Sequence, residues 1–227
     1  MMRLPEFEFH APREVAEAVD LLAGARGEAM IVAGGTDILP NMKRRQQTPR
    51  ALVSVRRIAA LHQIANGSGL TIGAGVTLSQ LLAHDALGGP YAALRQAAAQ
   101  VATPHLRNMG TIGGNLCLDT RCNYYDQNYE WRKAIDFCMK KDGRTCWVAT
   151  SSPKCLAVSS SDTAPALVAL GARVTLVSTA GPREVALTDL YHNDGIHYLT
   201  RRPDEILTTV RVPALPSWRS TYWKLRR

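Results

Sequence analysis

The 227-residue sequence has no run of about 18 apolar residues, so no helix in it reads as a membrane span. Its N-terminal segment, MMRLPEFEFHAPREVAEAV, has no apolar stretch after Arg3 and does not read as a secretory signal. It has no zinc-finger spacing and no RNP-like aromatic motif, so nucleic acid is not an expected partner despite a net charge of +8. No G-x-G-x-x-G and no G-x-x-x-x-G-K-[ST] occurs, which excludes the two commonest glycine-rich nucleotide loops. The six histidines show no metal-ligand spacing; His105, just ahead of a glycine motif, reads as a satisfied structural histidine or as one that could touch a cofactor. No grouping of acid, base and nucleophile marks a substrate pocket. Five cysteines, an odd count, argue against a disulfide framework and fit a cytoplasmic chain whose thiols stay reduced.

What is present suffices for a real core: 46% of residues are hydrophobic, enough for one large or two small domains. The positive charge is scattered. Its densest cluster, Lys43-Arg44-Arg45 with Arg50, Arg56 and Arg57 nearby, reads as a solvated face or as a surface for an anionic cofactor or acidic partner. Val15, Ala18, Val19 and Leu22 recur at helical spacing and predict an amphipathic helix ending near Gly24. AMIVAGGTDILP reads as a strand running into a glycine turn, and ALVSV and LTIGAG as further short strands. TLSQLLAHDAL opens with a capping-box pattern, Thr77 to Gln80. PYAALRQAAAQVA, opened by Pro90, and DTAPALVALGA, stopped by Gly171, are two more helices. RVTLVST, AGPR and EVALTDL read as strand, turn and strand, and DEILTTVRVPAL alternates like a strand. Helices and strands mix without a clean βαβ repeat, without internal repeats and without low-complexity tracts, so the fold class is α+β.

Residues 118–160 break this texture. They hold four of the five cysteines, two of the four Trp and three of the seven Tyr, yet carry no sustained periodicity. A loop this long inside a compact domain implies a function and something other than secondary structure to hold it.

Two glycine motifs stand out, AGGTDI (Ala33 to Ile38) and RNMGTIGGN (Arg107 to Asn115). Paired glycines let backbone N–H groups approach an anion closely, and Thr36, Thr111 and Asn115 can add neutral hydrogen bonds. Each motif alone also reads as a tight turn. In this order and separation they resemble the FAD-binding subunit of the xanthine dehydrogenase and carbon monoxide dehydrogenase family of molybdenum hydroxylases. The resemblance continues through Ser161-Asp162 before TAPALVALGA, Glu205-Ile206-Leu207, and the aromatic-x-Lys segment YWKLRR at Tyr222 to Arg227. It implies the FAD-binding fold of those flavoproteins (PCMH type). Its subdomains would be 1–57 and 58–217, the second carrying the inserted loop 118–160, with 218–227 the start of a C-terminal subdomain that is missing, so the chain reads as truncated.

The same resemblance implies a set of FAD contacts. Ala33, Gly34, Gly35, Thr36, Asp37 and Ile38 would wrap the pyrophosphate and ribityl region. Thr111, Gly113, Gly114 and Asn115 would form a second phosphate loop, and Asp162 would hydrogen-bond the nucleotide end. Leu207 and Lys224 would lie near the isoalloxazine ring, where a cation stabilises the reduced anionic flavin.

From spacing alone the cysteine stretch leaves iron–sulfur, zinc and unligated thiols all open. The gaps of fifteen, seven and eight residues match neither zinc knuckles nor compact ferredoxin runs. The insertion resembles that of the flavoprotein subunits of 4-hydroxybenzoyl-CoA reductases, which implies a [4Fe–4S] cluster on Cys122, Cys138, Cys146 and Cys155. Trp131, Trp147, Tyr124, Tyr125 and Tyr129 would shield it, or form a small aromatic core for the loop. Arg132, Lys133, Lys140, Lys141, Arg144 and Lys154 could face an acidic carrier such as a ferredoxin, or be an ordinary solvated surface. Cys117 reads as a buried or semi-buried thiol near the flavin loop.

The reading these resemblances imply is an electron-transfer flavoprotein subunit, holding FAD and a [4Fe–4S] cluster. Its partners would be a molybdenum-cofactor subunit and a [2Fe–2S] subunit, assembled as a dimer of heterotrimers. It would relay electrons from a ferredoxin-type donor for the reductive dehydroxylation of 4-hydroxybenzoyl-CoA on a partner subunit. Two alternatives stay open. One is the FAD subunit of an ordinary molybdenum hydroxylase, acting in aldehyde, heterocycle or CO oxidation, with a zinc-bound or metal-free loop. The other is a non-enzymatic module with a zinc-stabilised docking loop.

Overall fold

The computed structural model describes residues 3–225. Met1, Met2, Arg226 and Arg227 lie outside the described residues, so the first two positions of the N-terminal segment and the last two of YWKLRR are read from sequence alone.

Two sheets divide the strands. The first contains β1 (Glu8–His10), β2 (Ala29–Val32) and β3 (Ala51–Ser54) in the order β1-β3-β2, every pair parallel. Parallel neighbours need crossover connections. Helix α1 (Val15–Gly24) makes the first, burying Ala18, Val19 and Leu22 in a cluster with Val53 and Ile206. Helix α2 (Ile38–Lys43) makes the second. The sequence reading has only a glycine turn here, because Pro40 breaks the helical pattern. Pro40 falls in the first turn of α2, where a missing N–H costs little.

The second sheet contains β4 (Ile64–Gly67), β5 (Gly69–Gly73), β6 (Arg173–Ser178), β7 (Gly181–Ala186) and β8 (Ile206–Pro213) in the antiparallel order β4-β5-β8-β6-β7. Alternate residues such as Leu70, Ile72, Val174, Leu176, Val210 and Val212 are buried on one face. That face joins the apolar sides of α3 (Leu78–Ala83), α4 (Ala92–Ala99) and α8 (Thr163–Ala169) in the main core. The capping box of α3 is formed: Gln80 N–H donates to Thr77 Oγ1 at 3.2 Å, and Thr77 N–H to Gln80 Oε1 at 2.9 Å. Gly171, with φ of +68°, ends the α8 segment in the conformation that glycine adopts most easily.

Local boundaries differ from the sequence reading in two places. Gly181 and Pro182 pair with Ser178 and Val177, so the β6–β7 turn is Thr179–Ala180 and most of AGPR belongs to β7. Leu187–Leu190 is a 3-10 turn that buries Leu187 and Leu190, not the end of a strand. The 118–160 segment is largely irregular, as expected. Its one helix is α7 (Tyr129–Ala134), capped by Asn128 Oδ1, which accepts from Trp131 N–H at 2.9 Å. Two further short helices, α5 (Pro104–Arg107) and α6 (Ile112–Leu116), sit at the second glycine motif. No helix among the described residues is long and apolar enough to cross a membrane.

One buried ion pair secures the entry to β8. Glu205, 1% exposed, accepts from Arg183 Nε at 2.6 Å and Nη2 at 2.8 Å, and from Arg202 N–H at 2.7 Å. Burial opposes its ionisation, but the arginine and backbone donors outweigh it and hold the carboxyl below its usual range. The stability this contributes is complete above the unfolded glutamate pKa of about 4.3 and is lost as pH falls through the lower folded value. Glu205→Ala is expected to cost about 3 kcal/mol, since it strands a half-buried arginine, and Glu205→Gln to flatten the acid limb of stability. Urea denaturation between pH 3 and 7 measures both.

Candidate functional site

A cavity of about 560 Å³ opens where the end of β2, the second glycine motif and the segment leading into β8 meet. All of Ala33, Gly34, Gly35, Thr36, Asp37 and Ile38 line it. So do Thr111, Gly113, Gly114 and Asn115, and Leu207 from β8. The two motifs meet backbone to backbone: a Cβ on Gly34 would overlap the Met109 carbonyl oxygen. The second motif is tied in turn to the start of α3, Leu78 N–H donating to Gly110 O at 2.9 Å.

The motifs offer different things to a ligand. The N–H groups of Ile112 and Gly113 donate to Val76 O and Ala74 O, both at 2.9 Å, and that of Gly114 to Thr111 Oγ1 at 3.0 Å. Those of Gly35, Thr36 and Asp37 have no acceptor among the described residues, which leaves them for an anion. Asn115 is an organiser of the fold as well as a lining residue. Its Oδ1 accepts from Ser161 Oγ at 2.8 Å, Thr163 Oγ1 at 2.6 Å and Thr163 N–H at 3.3 Å, pinning the start of α8 beside the cavity.

Asp162 and Lys224 do not line this cavity. They pair with each other at 2.6 Å, and the Tyr222 hydroxyl donates to Asp162 at 2.8 Å. His105 is exposed and also outside the lining, although its neighbour Leu106 is part of it. Cys117 is half-buried on the cavity wall, and burial pushes its thiol up against the lowering effect of Arg201. Among the lining residues that escape the sequence reading are Asp119, Tyr198 and Arg201. None belongs to a motif. Arg201 is the one cation in the lining among the described residues, and its buried Nε has no partner. A cavity of this size, with free amides at one end and an unsatisfied guanidinium N–H, fits a large anionic cofactor such as FAD.

The second site is the cysteine loop. Cys122, Cys138, Cys146 and Cys155, spread over more than thirty residues, line one small gap together with Tyr124, Tyr125 and Trp147. Cys138, Cys146 and Cys155 are buried and Cys122 is partly so. Burial opposes ionisation of Cys146, but N–H groups of Leu156, Ala149 and Val148 directed at its sulfur hold the thiol below its ordinary range. Burial raises Cys155, only partly offset by the Ala157 N–H at 3.5 Å and by Lys140, while Cys146 and Cys138 raise it further. No three His, Cys, Asp or Glu among the described residues stand at the spacing of a formed metal site. The donor set is nonetheless four sulfurs, two of them (Cys146 and Cys155) met by backbone N–H groups, the chemistry that soft metals and iron–sulfur clusters take.

Several expectations about the loop surface need correcting. Trp131 and Tyr129 are exposed and do not border the gap, packing instead on the rings of Tyr124 and Phe137; Tyr124, Tyr125 and Trp147 border it. Arg132 and Lys140 are not on the solvated face. Arg132 is buried beside Asp142 and over the Phe137 ring, and Lys140 is buried against Asp119. The Lys43-Arg44-Arg45 cluster is partly structural too, since Arg44 pairs with Asp126 and so ties the end of α2 to the loop.

The geometry defines a cofactor-binding domain with an irregular, cysteine-bearing segment. The sequence profile described as the FAD binding domain in molybdopterin dehydrogenase matches residues 5–215, and the chain belongs to that family. It is 31% identical to the carbon monoxide dehydrogenase medium chain of Afipia carboxidovorans, covering 97% of this chain and 64% of that protein. It is 33% identical to the aldehyde oxidoreductase FAD-binding subunit PaoB of Escherichia coli, covering 96% of this chain and 70% of that one. Carbon monoxide dehydrogenase from Hydrogenophaga pseudoflava shares the fold at a TM-score of 0.72 and 28% identity, over 95% of this chain and 62% of the other. The chain thus spans a little under two thirds of the length of two of these relatives.

Gly34→Ala is expected to force the two motifs apart, costing on the order of 1–3 kcal/mol and most of the bound flavin. Flavin absorbance per polypeptide and thermal melting read both effects. A variant that stays yellow and melts normally would show that the backbone contact is dispensable.

Proposed function

We propose that this chain is the electron-transfer flavoprotein subunit of a molybdenum enzyme that carries a [4Fe–4S] cluster beside its FAD. FAD would occupy the larger cavity, with the amides of Gly35, Thr36 and Asp37 on its pyrophosphate. Cys122, Cys138, Cys146 and Cys155 would hold the cluster. When bound, FAD supplies two-electron storage that can be drawn on one electron at a time, which suits a junction between one-electron centres. The complex would include a molybdenum-cofactor subunit and a [2Fe–2S] subunit as a dimer of heterotrimers, in the cytoplasm. A ferredoxin-type carrier would supply electrons for reductive dehydroxylation of 4-hydroxybenzoyl-CoA. Division into subdomains at 57/58 and 217/218 is part of the same proposal; the end of β3 at Ser54 and the start of β4 at Ile64 support the first of these.

The observation that carries this reading is the convergence of four cysteines from an irregular segment onto one gap, with N–H donors on the sulfurs of Cys146 and Cys155. For docking the carrier, the exposed cations Lys133 and Arg144 remain available, with Lys141 and Lys154 partly so. Lys224, paired with Asp162, would reach the flavin only if that pair rearranged, and Asp162 would contact the nucleotide only on the same condition. A second reading, an FAD subunit for aldehyde, heterocycle or CO oxidation with a zinc-bound or metal-free loop, is favoured by the named activities of the relatives.

Iron and acid-labile sulfide per FAD, measured on the anaerobically purified complex, separate the two. About four of each beyond those of the [2Fe–2S] subunit are expected, and Cys138→Ser should remove them while leaving the flavin. Zinc, or no extra iron, would establish the second reading.

A further inference from the structure

The two cavities share a wall, and its charges are sorted. Asp119 lines the flavin cavity and Lys140 lines the cysteine gap. They form an ion pair at 2.8 Å, with side chains only 6% and 7% exposed. Lys140 Nζ also donates to Thr120 Oγ1 at 2.5 Å and to Gly195 O at 2.7 Å, and Gly195 N–H donates to Cys155 O at 2.8 Å. Its ammonium lies 4.9 Å from the ring of Tyr125 on the cysteine side and 5.5 Å from that of Tyr198 on the flavin side. A second pair repeats the orientation. Asp37 lines the flavin cavity, and its partner Arg121 lines a surface groove next to Cys122. The pairs are joined, Asp119 N–H donating to Asp37 Oδ2 at 3.3 Å.

We propose that this wall is a polarised septum, in which Lys140 and Asp119 act as positioning residues that set the reduction potentials of the centres on either side. The inference rests on the reading above, in which FAD and an iron–sulfur cluster occupy the two sites. Reduction adds negative charge to both centres. A buried cation beside the cysteines favours the reduced cluster, and a buried carboxylate beside the flavin disfavours the reduced flavin. The septum therefore raises the cluster potential and lowers the flavin potential. No bond is made or broken: each transfer of one electron oxidises one centre and reduces the other. On the flavin side, burial raises the Tyr198 hydroxyl, and Asp119 and Asp37 raise it further.

The test is a redox titration of the anaerobically purified complex, reading the cluster by electron paramagnetic resonance and the flavin by absorbance. Lys140→Gln/Asp119→Asn removes both charges, keeps hydrogen-bonding groups, and leaves no unpaired buried ion. With FAD and iron at wild-type stoichiometry, its cluster potential is expected to move negative and its flavin potential positive. Lys140→Arg, which keeps the charge, should hold the cluster near its wild-type value. Unchanged potentials, or shifts of the opposite sign, overturn the proposal. Arg121→Gln provides an independent reading if the double variant does not assemble, because its side chain is partly exposed. It should shift the cluster in the same negative direction, and no shift there overturns the proposal equally. A wild-type complex without the extra iron defeats the cluster reading instead, and the sign of the flavin shift then decides the septum alone.

Discussion

The cavity depends on one close approach. Gly34 at the end of the parallel sheet packs its backbone against Met109 and Gly110 of a loop that belongs to the other sheet's helices. Any side chain at Gly34 would hold those segments apart. Because they touch, the unpaired amides of the first motif face a space whose other wall is Thr111 to Asn115. The second motif spends its own N–H groups on Val76, Ala74 and Thr111, so it is fixed in place and serves as a rigid wall. Asn115 extends that rigidity to α8 by accepting three hydrogen bonds at a single oxygen.

The cysteine-bearing segment is held by different means. It has one short helix, yet Tyr125 and three of its cysteines are buried. Polar contacts to the rest of the chain do what strand pairing does elsewhere. Gln46 Nε2 donates to Tyr125 O at 2.7 Å, Arg44 pairs with Asp126, and Lys140 Nζ donates to Gly195 O at 2.7 Å. Two of these anchors come from the end of α2, directly after the first glycine motif. The loop is therefore anchored on the turn that follows the first glycine motif. A buried ion pair is a costly way to hold a wall together, since desolvation opposes it, and an apolar contact would serve stability as well. Its retention between two candidate redox sites is what makes an electrostatic role worth testing.

Much of this was legible before any coordinates. The helix over Val15–Gly24 and the capping box at Thr77 follow from local spacing and were correctly placed, because both are decided within a few residues. The glycine motifs were legible for the same reason: a backbone that must pass close to another backbone leaves glycine in the sequence. The short helix at Ile38–Lys43 was missed because a proline in the first turn mimics a helix stop. Arg132 and Lys140 read from sequence as exposed cations, on a solvated surface or facing an acidic carrier, because charge predicts exposure, and only a partner distant in sequence or a packed ring reverses that.

By itself, the sequence determined the α+β class, the two glycine turns that line the cavity, and the isolation of four thiols in one irregular segment. Each is a local property, written in spacing and residue type. Only the tertiary structure decided that Asp119, Tyr198 and Arg201 complete the cavity wall, that Asp162 and Lys224 face each other instead of that cavity, and that Lys140 is buried between two sites. These depend on contacts between residues dozens of positions apart. No local pattern encodes them, because their energy comes from exclusion of water and pairing of charge in the assembled fold.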